Sequence, residues 1–356
     1  MIDGPWRKRI RACLFRAMHV KIALCFGPMA RALSRTYSEE INMPVVKVAD
    51  IAYGRLQSPS LDEAEEFLTN FGMERAERTA NALYMRGTDP HHHLHVTHVG
   101  PPKFLGLAFF VDDEDDLGRA AKAGGATGIE NIDEPGGGKR VRLTDPHGYQ
   151  IEIVHGMTPA APLAVRPNIL NTGPDKYRRT DLMRIKQGPS QVKRIAHAVI
   201  MTQNAMEKVR WYREHLGLVG TDDIYAGPKE NIIASFNRCD RGETFVDHHT
   251  FLCIEGEKTG LNHLSFEVQN FDDVMVGHEH LKKTGKYPHM WGIGRHVLGS
   301  QIFDYWQDPW GRVHEHWTDS DVLNIHSGSN LVPVEEGLNS QWGDAAPPAF
   351  VSHATP

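Results

Sequence analysis

An internal repeat constrains the fold of this chain more than any other feature of its sequence. Segments of the first half have counterparts, in the same order, in the second half: Ile51-Ala52-Tyr53 and Ile195-Ala196-His197, Leu105–Phe109 and Asn262–Phe266, and the turns Asp145-Pro146-His147-Gly148 and Asp308-Pro309-Trp310-Gly311. Strand-like segments alternate here with helical patterns and turn signals, so each copy is predicted to contain paired βαβββ units. The expected fold class is α+β: two tandem modules, each a concave, barrel-like sheet with its helices outside.

The repeat divides the chain into predicted regions. They are a basic N-terminal extension (1–42), a first module (43–157), a linker (158–190), a second module (191–320) and a C-terminal tail (321–356). Three interpretations of the extension stay open: a segment upstream of a functional start at Met43, an organelle-type transit peptide, or a helical arm used in assembly. The tail is expected either to pack over the second module or to serve subunit contacts.

Composition excludes several classes of function. The chain has 356 residues and a net charge of −6, so no basic field favours nucleic acid. No segment approaches the roughly 20 unbroken apolar residues of a membrane span. The four cysteines form no close pair of the C-x-x-C type and are predicted to be reduced thiols. We therefore expect a cytoplasmic homo-oligomer that acts on a small molecule, with neither nucleic acid nor membrane as partner.

The two copies differ at three positions that can carry metal ligands. The second copy holds His197, His263 and Glu315 where the first holds Tyr53, Gly106 and Glu152. A metal therefore has three candidate ligands in the second module and one in the first. Two imidazoles and one carboxylate form a facial triad, which leaves positions open on an octahedral Fe(II) or Mn(II) ion.

Alternation of side chains along the strands predicts which residues share the concave face. Leu264 and Phe266 are assigned to the helix side, which leaves His263 on the concave side. In the next histidine segment Thr250, Leu252 and Ile254 are assigned to the helix side, which places His249 rather than His248 on the concave face. The run from His91 to His98 is predicted to be a solvated or pocket-mouth strand, and His314 and His316 are expected to lie near the site or at the surface.

The second half resembles the type I extradiol catechol dioxygenases of the vicinal oxygen chelate, or glyoxalase–bleomycin-resistance, superfamily. The matching residues are His197, His249 in His-His-Thr, His263 in Asn-His-Leu-Ser-Phe, Arg295-His296, Tyr305, the Asp308-Pro309-x-Gly311 turn and Glu315. The spacings of nine residues from His296 to Tyr305 and of ten from Tyr305 to Glu315 also match. The resemblance covers roughly residues 46–320, and its specific motifs lie in 194–318.

The resemblance implies extradiol cleavage of a catechol by dioxygen. It implies that His197, His263 and Glu315 hold Fe(II), or alternatively Mn(II). It also implies an acid–base histidine, which is either His249, as alternation favours, or the adjacent His248. It also implies that Tyr305 and His296 hydrogen-bond the substrate oxygens. The residues expected around the substrate are Val199, His248, Arg295 and Leu298. Because Val199 and Leu298 are apolar, we expect an aryl- or alkyl-substituted catechol rather than one that carries a carboxylate.

Three other functions remain as alternatives. A 4-hydroxyphenylpyruvate-type oxygenase would share the fold and the ligands, but its expected glycine- and phenylalanine-rich C-terminal signature is absent from this sequence. A glyoxalase-like isomerase would draw ligands from both modules. A non-catalytic ligand-binding protein of the same fold would have no need of His249 and Tyr305 beside a metal.

Overall fold

The computed structural model describes residues 43–166, 169–337 and 339–356. The three interpretations of residues 1–42 concern a segment outside these ranges. No helix within the described part of the chain is both long enough and apolar enough to cross a membrane.

The first module forms one eight-stranded sheet with two helices. Its strands are β1 (Asp50–Ser58), β2 (Glu74–Arg78), β3 (Ala82–Arg86), β4 (His95–Val99), β5 (Lys103–Phe110), β6 (Glu130–Asn131), β7 (Lys139–Thr144) and β8 (Gln150–His155), and its helices are α1 (Leu61–Phe71) and α2 (Glu114–Ala120). The strand order is β2-β3-β4-β1-β5-β8-β7-β6. As the sequence indicates, Ser60 caps α1, because its side chain accepts a hydrogen bond from the Glu63 amide.

The second module forms a ten-stranded sheet that includes two strands of the tail. Its elements are β9 (Val192–Thr202), α3 (Ala205–Leu216), β10 (Leu218–Tyr225), β11 (Ile232–Cys239), β12 (Val246–Asp247), β13 (Phe251–Glu255), β14 (Gly260–Val268), α4 (Phe271–Thr284), β15 (His289–His296), β16 (Ile302–Gln307) and β17 (Val313–Thr318). The tail adds β18 (Val322–Leu323), a 3-10 turn (Ile325–Ser327), β19 (Asn330–Pro333), α5 (Val334–Gly337), β20 (Ser340–Trp342) and α6 (Pro348–Val351). The main strand order is β19-β10-β11-β13-β9-β14-β17-β16-β15-β20, and β12 pairs with β18.

The repeat seen in the sequence recurs as an identical strand register. In the first module Tyr53 pairs with Ala108, which pairs with Glu152. In the second module His197 pairs with Ser265, which pairs with Glu315. The α+β fold with curved sheets is therefore as predicted, and the hairpin at Asp308–Gly311 joins β16 to β17.

Several histidines are more buried than the sequence indicates. His93 and His95 are 2% and 1% exposed, so the prediction of a solvated strand is wrong for them. His95 lies on β4, an inner strand between β3 and β1, and His93 precedes that strand and packs against the rings of Tyr53 and Tyr84. His314 and His316 face away from Glu315, as alternation predicts, but they are 1% and 0% exposed, so the surface placement is wrong. They lie on the back of β17 among aromatic rings of α1, where His316 stacks on Phe71 with ring centroids 3.7 Å apart.

Candidate metal centre and active site

Three neighbouring strands present the predicted metal ligands. His197 lies on β9, His263 on β14 and Glu315 on β17, and these strands are adjacent in the sheet. One ligand atom from each residue lies within 4.8 Å of the other two. Glu315 Oε2 is 3.0 Å from His197 Nε2 and 3.4 Å from His263 Nε2. All three residues are buried.

Three polar atoms of this triad lack hydrogen-bond partners. Both carboxylate oxygens of Glu315 and Nε2 of His263 are buried and make no hydrogen bond of acceptable geometry. Burial would raise the pKa of Glu315, but the imidazoles of His197, His263 and His296 outweigh this effect and hold the pKa well below its usual value. Burial lowers the pKa of His197, in spite of the nearby carboxylate. A buried carboxylate beside two buried imidazoles, with unsatisfied polar atoms among them, is a donor set that suits a divalent cation.

His249 lies beside the triad and is held by a chain of hydrogen bonds. Its ring centroid is 4.0 Å from that of His197. Its Nδ1 is 3.1 Å from His248 Nδ1, and His248 Nε2 is 2.7 Å from Asp222 Oδ2. Burial lowers the pKa of His249 well below its usual value, and His197 and His248 lower it further, so the ring is neutral.

The Asp222–His248–His249 chain sets the tautomer of His249. Burial would raise the pKa of Asp222, but hydrogen bonds from His248 and Asn330 outweigh it and leave the pKa lowered. The ionised carboxylate accepts a hydrogen bond from Nε2–H of His248, and in that tautomer of the neutral ring His248 Nδ1 accepts in turn from Nδ1–H of His249. This assignment leaves the lone pair on Nε2 of His249.

The alternation argument for His249 fails, although His249 does line the cavity. Leu252 and Ile254, which alternation assigned to the helix side, line the same cavity. Phe251 instead faces the helices, where it stacks on Tyr212 with centroids 3.9 Å apart. The cause is that β13 begins only at Phe251, so His249 lies in irregular backbone where alternation does not apply.

Tyr305 and His296 form a pair on the opposite side of the triad. The Tyr305 hydroxyl is 2.9 Å from His296 Nε2, and the Tyr305 ring centroid is 5.1 Å from that of His263. Burial raises the pKa of Tyr305 well above its usual value, and the charge of Glu315 adds to this effect. The phenol is therefore protonated and can donate a hydrogen bond into the cavity.

The cavity beside the triad is mainly apolar. Its aliphatic and aromatic lining includes Val199, Phe236, Leu252, Ile254, Leu298, Trp291, Phe350 and Val351. The lining contains no lysine or arginine among the described residues. Gln301 also lines the cavity, and its side-chain nitrogen Nε2 is buried without a hydrogen-bond partner.

The four residues predicted around the substrate divide into two pairs. Val199 and Leu298 line the cavity, whereas His248 and Arg295 are not among its lining residues. His248 lies behind His249. Arg295 donates to the carbonyl of Ser300 and pairs with Asp319 at 2.7 Å. The prediction of direct substrate contact is therefore wrong for His248 and Arg295, whose side chains are used by the protein itself.

The tail packs over the second module, as one of its two expected roles had it, but its residues at the site itself were not predicted. Phe350 of α6 packs on His263 and Tyr305, with ring centroids 5.7 Å and 4.6 Å away. Asn262 connects the tail to the triad: its amide donates to the carbonyls of Phe350 and His353, and its Oδ1 is 2.7 Å from His263 Nδ1. Because Asn262 directly precedes the proposed ligand His263 in the sequence, a role in holding that imidazole could have been predicted. The tail itself carried no periodic pattern.

Comparisons with known proteins agree with the resemblance and with the fold. The model of the Glyoxalase/Bleomycin resistance protein/Dioxygenase superfamily matches residues 37–153. Metapyrocatechase 2 of Cupriavidus necator is 28% identical over 312 residues, which span 85% of this chain and 92% of that protein. The manganese-dependent 2,3-dihydroxybiphenyl 1,2-dioxygenase of Geobacillus genomosp. 3 is 23% identical over 305 residues, or 83% and 90% of the two chains.

Two solved structures share the fold at low identity. Homoprotocatechuate 2,3-dioxygenase from Brevibacterium fuscum, in complex with 3,4-dihydroxyphenylacetate, matches with a TM-score of 0.72 at 20% identity, over 88% of this chain and 94% of that one. The Mn(II)-bound glyoxalase from Novosphingobium aromaticivorans matches with a TM-score of 0.70 at 22% identity, over 87% and 95%. Because one of these neighbours is a dioxygenase and the other a glyoxalase, the shared fold alone does not define the reaction.

Proposed function

We propose that this chain, whose residues 37–153 match the model of the Glyoxalase/Bleomycin resistance protein/Dioxygenase superfamily, is an extradiol ring-cleavage dioxygenase that opens a catechol with both atoms of dioxygen. One observation carries the proposal: His197 and His263 line a single cavity together with His249 and Tyr305, and the Glu315 carboxylate lies 3.0 Å and 3.4 Å from the two imidazoles. The relatives named metapyrocatechase and dihydroxybiphenyl dioxygenase support the same reaction class. The expected product is a muconic semialdehyde or a related ketone.

His197, His263 and Glu315 are the proposed metal ligands. A divalent metal at this site, for which we propose Fe(II) with Mn(II) as the alternative, would supply Lewis acidity to the catechol hydroxyls and to dioxygen. The unpartnered atoms of the triad support this assignment, because a buried carboxylate without a cation is costly. Asn262 holds the tautomer of His263 through Nδ1 and leaves Nε2 free for the metal.

The remaining groups handle protons and position the diol. The lone pair on His249 Nε2 accepts a proton first and returns it later to an oxygen of the opening ring. The Tyr305 hydroxyl donates to a substrate oxygen, and His296 orients that hydroxyl. The apolar wall excludes water and accommodates a ring substituent.

The substrate is proposed to carry an apolar substituent. A substrate carboxylate would be buried in a cavity whose described lining contains no lysine or arginine. We therefore expect the kcat/KM for alkyl- or aryl-catechols to exceed that for carboxylated catechols by at least about 10-fold. Steady-state oxygen uptake over a panel of 3- and 4-substituted catechols measures the ratio, and a preference for the acids would contradict the proposal.

Gln301 is proposed to read a hydrogen-bond acceptor on the substrate. Replacing Gln301 by Leu removes the buried amide that has no partner in the protein. For substrates with a hydroxyl, ether or carbonyl on the substituent, we expect kcat/KM to fall by about 10-fold or more, because the acceptor would be buried unpaired. Plain alkylcatechols should be cleaved at nearly the original rate. A uniform loss across both groups of substrates would indicate that Gln301 has only a structural role.

The proposal is tested by loading the metal-free protein with Fe(II) anaerobically and adding a catechol and oxygen. We expect a yellow product, consumption of one oxygen per catechol, and both atoms of labelled dioxygen in the product. Parallel loading with Mn(II) decides between the metals. Products cleaved between the two hydroxyls, or no oxygen uptake with either metal, would overturn the proposed reaction.

A glyoxalase-type isomerase is the second candidate, and one observation disfavours it. Such an enzyme was expected to take ligands from both modules, but Glu152 of the first module is occupied by other groups. Its carboxylate accepts from the Tyr53 hydroxyl at 2.6 Å and pairs with Arg55 at 3.1 Å. Among the described residues, no metal-ligand group draws on the first module.

The predicted homo-oligomer remains a prediction, which gel filtration tests.

A further inference from the structure

A second cluster of two histidines and one carboxylate lies outside the proposed active site. His278 lies on α4, His289 begins β15, and Asp304 lies on β16. One ligand atom from each residue lies within 4.8 Å of the other two. Among the described residues, only this cluster and the triad of the active site bring three such groups to this spacing.

We propose that His278, His289 and Asp304 form a second binding site for a divalent transition-metal ion, with Zn²⁺ as the best match. Zn²⁺ takes nitrogen and oxygen ligands at about 2.0–2.2 Å, so ligand atoms of a tetrahedral site lie roughly 3.3–3.5 Å apart. Asp304 Oδ1 is 3.2 Å from His278 Nδ1 and 2.7 Å from His289 Nε2. A small outward shift of His289 brings the second distance into this range.

The carboxylate of Asp304 is already oriented for a metal. The indole N–H of Trp306 donates to Oδ2 at 2.6 Å. Oδ1 therefore remains for the metal, and Trp306 acts as the outer hydrogen bond that fixes a ligand in place. The exposed fraction of the Asp304 side chain is 0%, so its charge requires compensation from nearby cations. Burial would raise the pKa of Asp304, but His278 and His289 outweigh it and keep the group ionised.

The two imidazoles approach this oxygen from different elements and leave a path to solvent. Their rings are perpendicular, with centroids 5.0 Å apart. The side chain of His278 is 15% exposed and that of His289 is 31% exposed. Three protein ligands with an open side fit a tetrahedral ion whose fourth ligand is water.

Occupation of this second site would connect α4, β15 and β16. Asp304 precedes Tyr305 on β16, and β15 ends at His296, so the bound ion would brace the two strands that carry the Tyr305–His296 pair. The ion would contact neither residue. The inference does not depend on the proposed reaction, because it rests on a separate group of ligands.

The test counts metal ions in wild-type protein and in matched variants. The full chain is stripped of metal and dialysed against Zn²⁺ alone, and bound zinc is measured by elemental analysis. His289→Ala and His278→Ala are each expected to bind one equivalent fewer than the wild type. His326→Ala is the control, because His326 pairs with Glu243 at 2.9 Å without a second histidine, and it should keep the wild-type count. With Co²⁺ as the probe, the variants should lose one set of visible bands.

Thermal unfolding provides a second readout. Zn²⁺ should raise the Tm of the Glu315→Gln protein, whose active-site triad is broken, and the additional substitution His289→Ala should abolish this shift. Equal zinc counts in wild type and His289→Ala would overturn the inference, as would equal Tm shifts with and without His289. Both measurements compare proteins with and without His289, and neither depends on catechol cleavage. They therefore test the second site even if the protein cleaves no catechol.

Discussion

Replacing Glu315 by Gln is expected to abolish ring cleavage. The substitution keeps the size of the side chain but removes the negative charge that offsets a dication between two neutral imidazoles. Loss of a residue that only hydrogen-bonds a metal ligand typically lowers metal affinity by about 10- to 100-fold. Loss of the charged ligand itself should lower the affinity by more than this. Activity should fall by at least about 10⁴-fold, since the metal supplies the central chemistry. Oxygen uptake and metal content of the purified variant measure both effects.

A matched control for this variant exists in the other half of the chain. Glu152 occupies the equivalent register position in the first module, where Tyr53 and Arg55 already satisfy it. Glu152→Gln is expected to leave the metal content unchanged. If Glu315→Gln retains its metal and its oxygen uptake, the proposed ligand set is wrong.

Replacing His249 by Asn is expected to lower kcat by about 10²- to 10⁴-fold while the metal stays bound. His249 lies next to the triad but supplies no ligand in the proposal, so the variant should keep its metal while it loses activity. The measurement is steady-state oxygen uptake together with elemental analysis. Loss of metal along with activity would mean that His249 is a ligand rather than the acid–base group.

The pH profile gives an independent check on His249. Its pKa is lowered by burial, and a bound dication would lower it further, so the ring stays neutral well below pH 6.5. The acid limb of kcat/KM should therefore lie below pH 6.5 in the wild type and should disappear in the His249→Asn variant. An acid limb at or above pH 6.5 that persists in the variant would show that another group titrates.

His248 can be separated from His249 by substituting the far end of the hydrogen-bond chain. Asp222→Asn removes the charge that fixes the tautomer of His248, and through it the tautomer of His249. The expected result is a loss in kcat of about 10- to 100-fold, smaller than that of His249→Asn, with an unchanged KM. If His248→Asn is as damaging as His249→Asn at all pH values, the assignment of the two histidines must be reversed.

The sequence predicted the parts of the site that lie on regular strands. Glu315 lies on β17, whose pairing with β14 and β16 has no register shift, so alternation determines which way its side chain points. His263 was placed correctly as well, although the pairing of β14 with β9 shifts register just before it. The same reasoning misassigned Leu252, because the strand that carries it begins later than expected. Alternation is reliable only while the ladder of backbone hydrogen bonds continues.

The remaining parts of the site depend on tertiary contacts that no local pattern reveals. Asp222 reaches His248 from another strand, 26 residues away in the chain. Phe350 reaches His263 from a tail that shows no strand or helix periodicity. Arg295 matched the family motif, yet its charge is used by Asp319. A motif therefore identifies residue types, but only the packed structure shows which partner each one satisfies.

The aromatic contacts between α1 and the back of β17 give the first module a structural role, although it offers no complete set of metal ligands. Phe71 of the first module stacks on His316, whose strand neighbour Glu315 faces the opposite way into the site. The first half thus supports the strand that carries Glu315 from behind. In the second half alone, α3 and α4 would still cover part of the sheet, but the aromatic side chains behind Glu315 would be exposed to water.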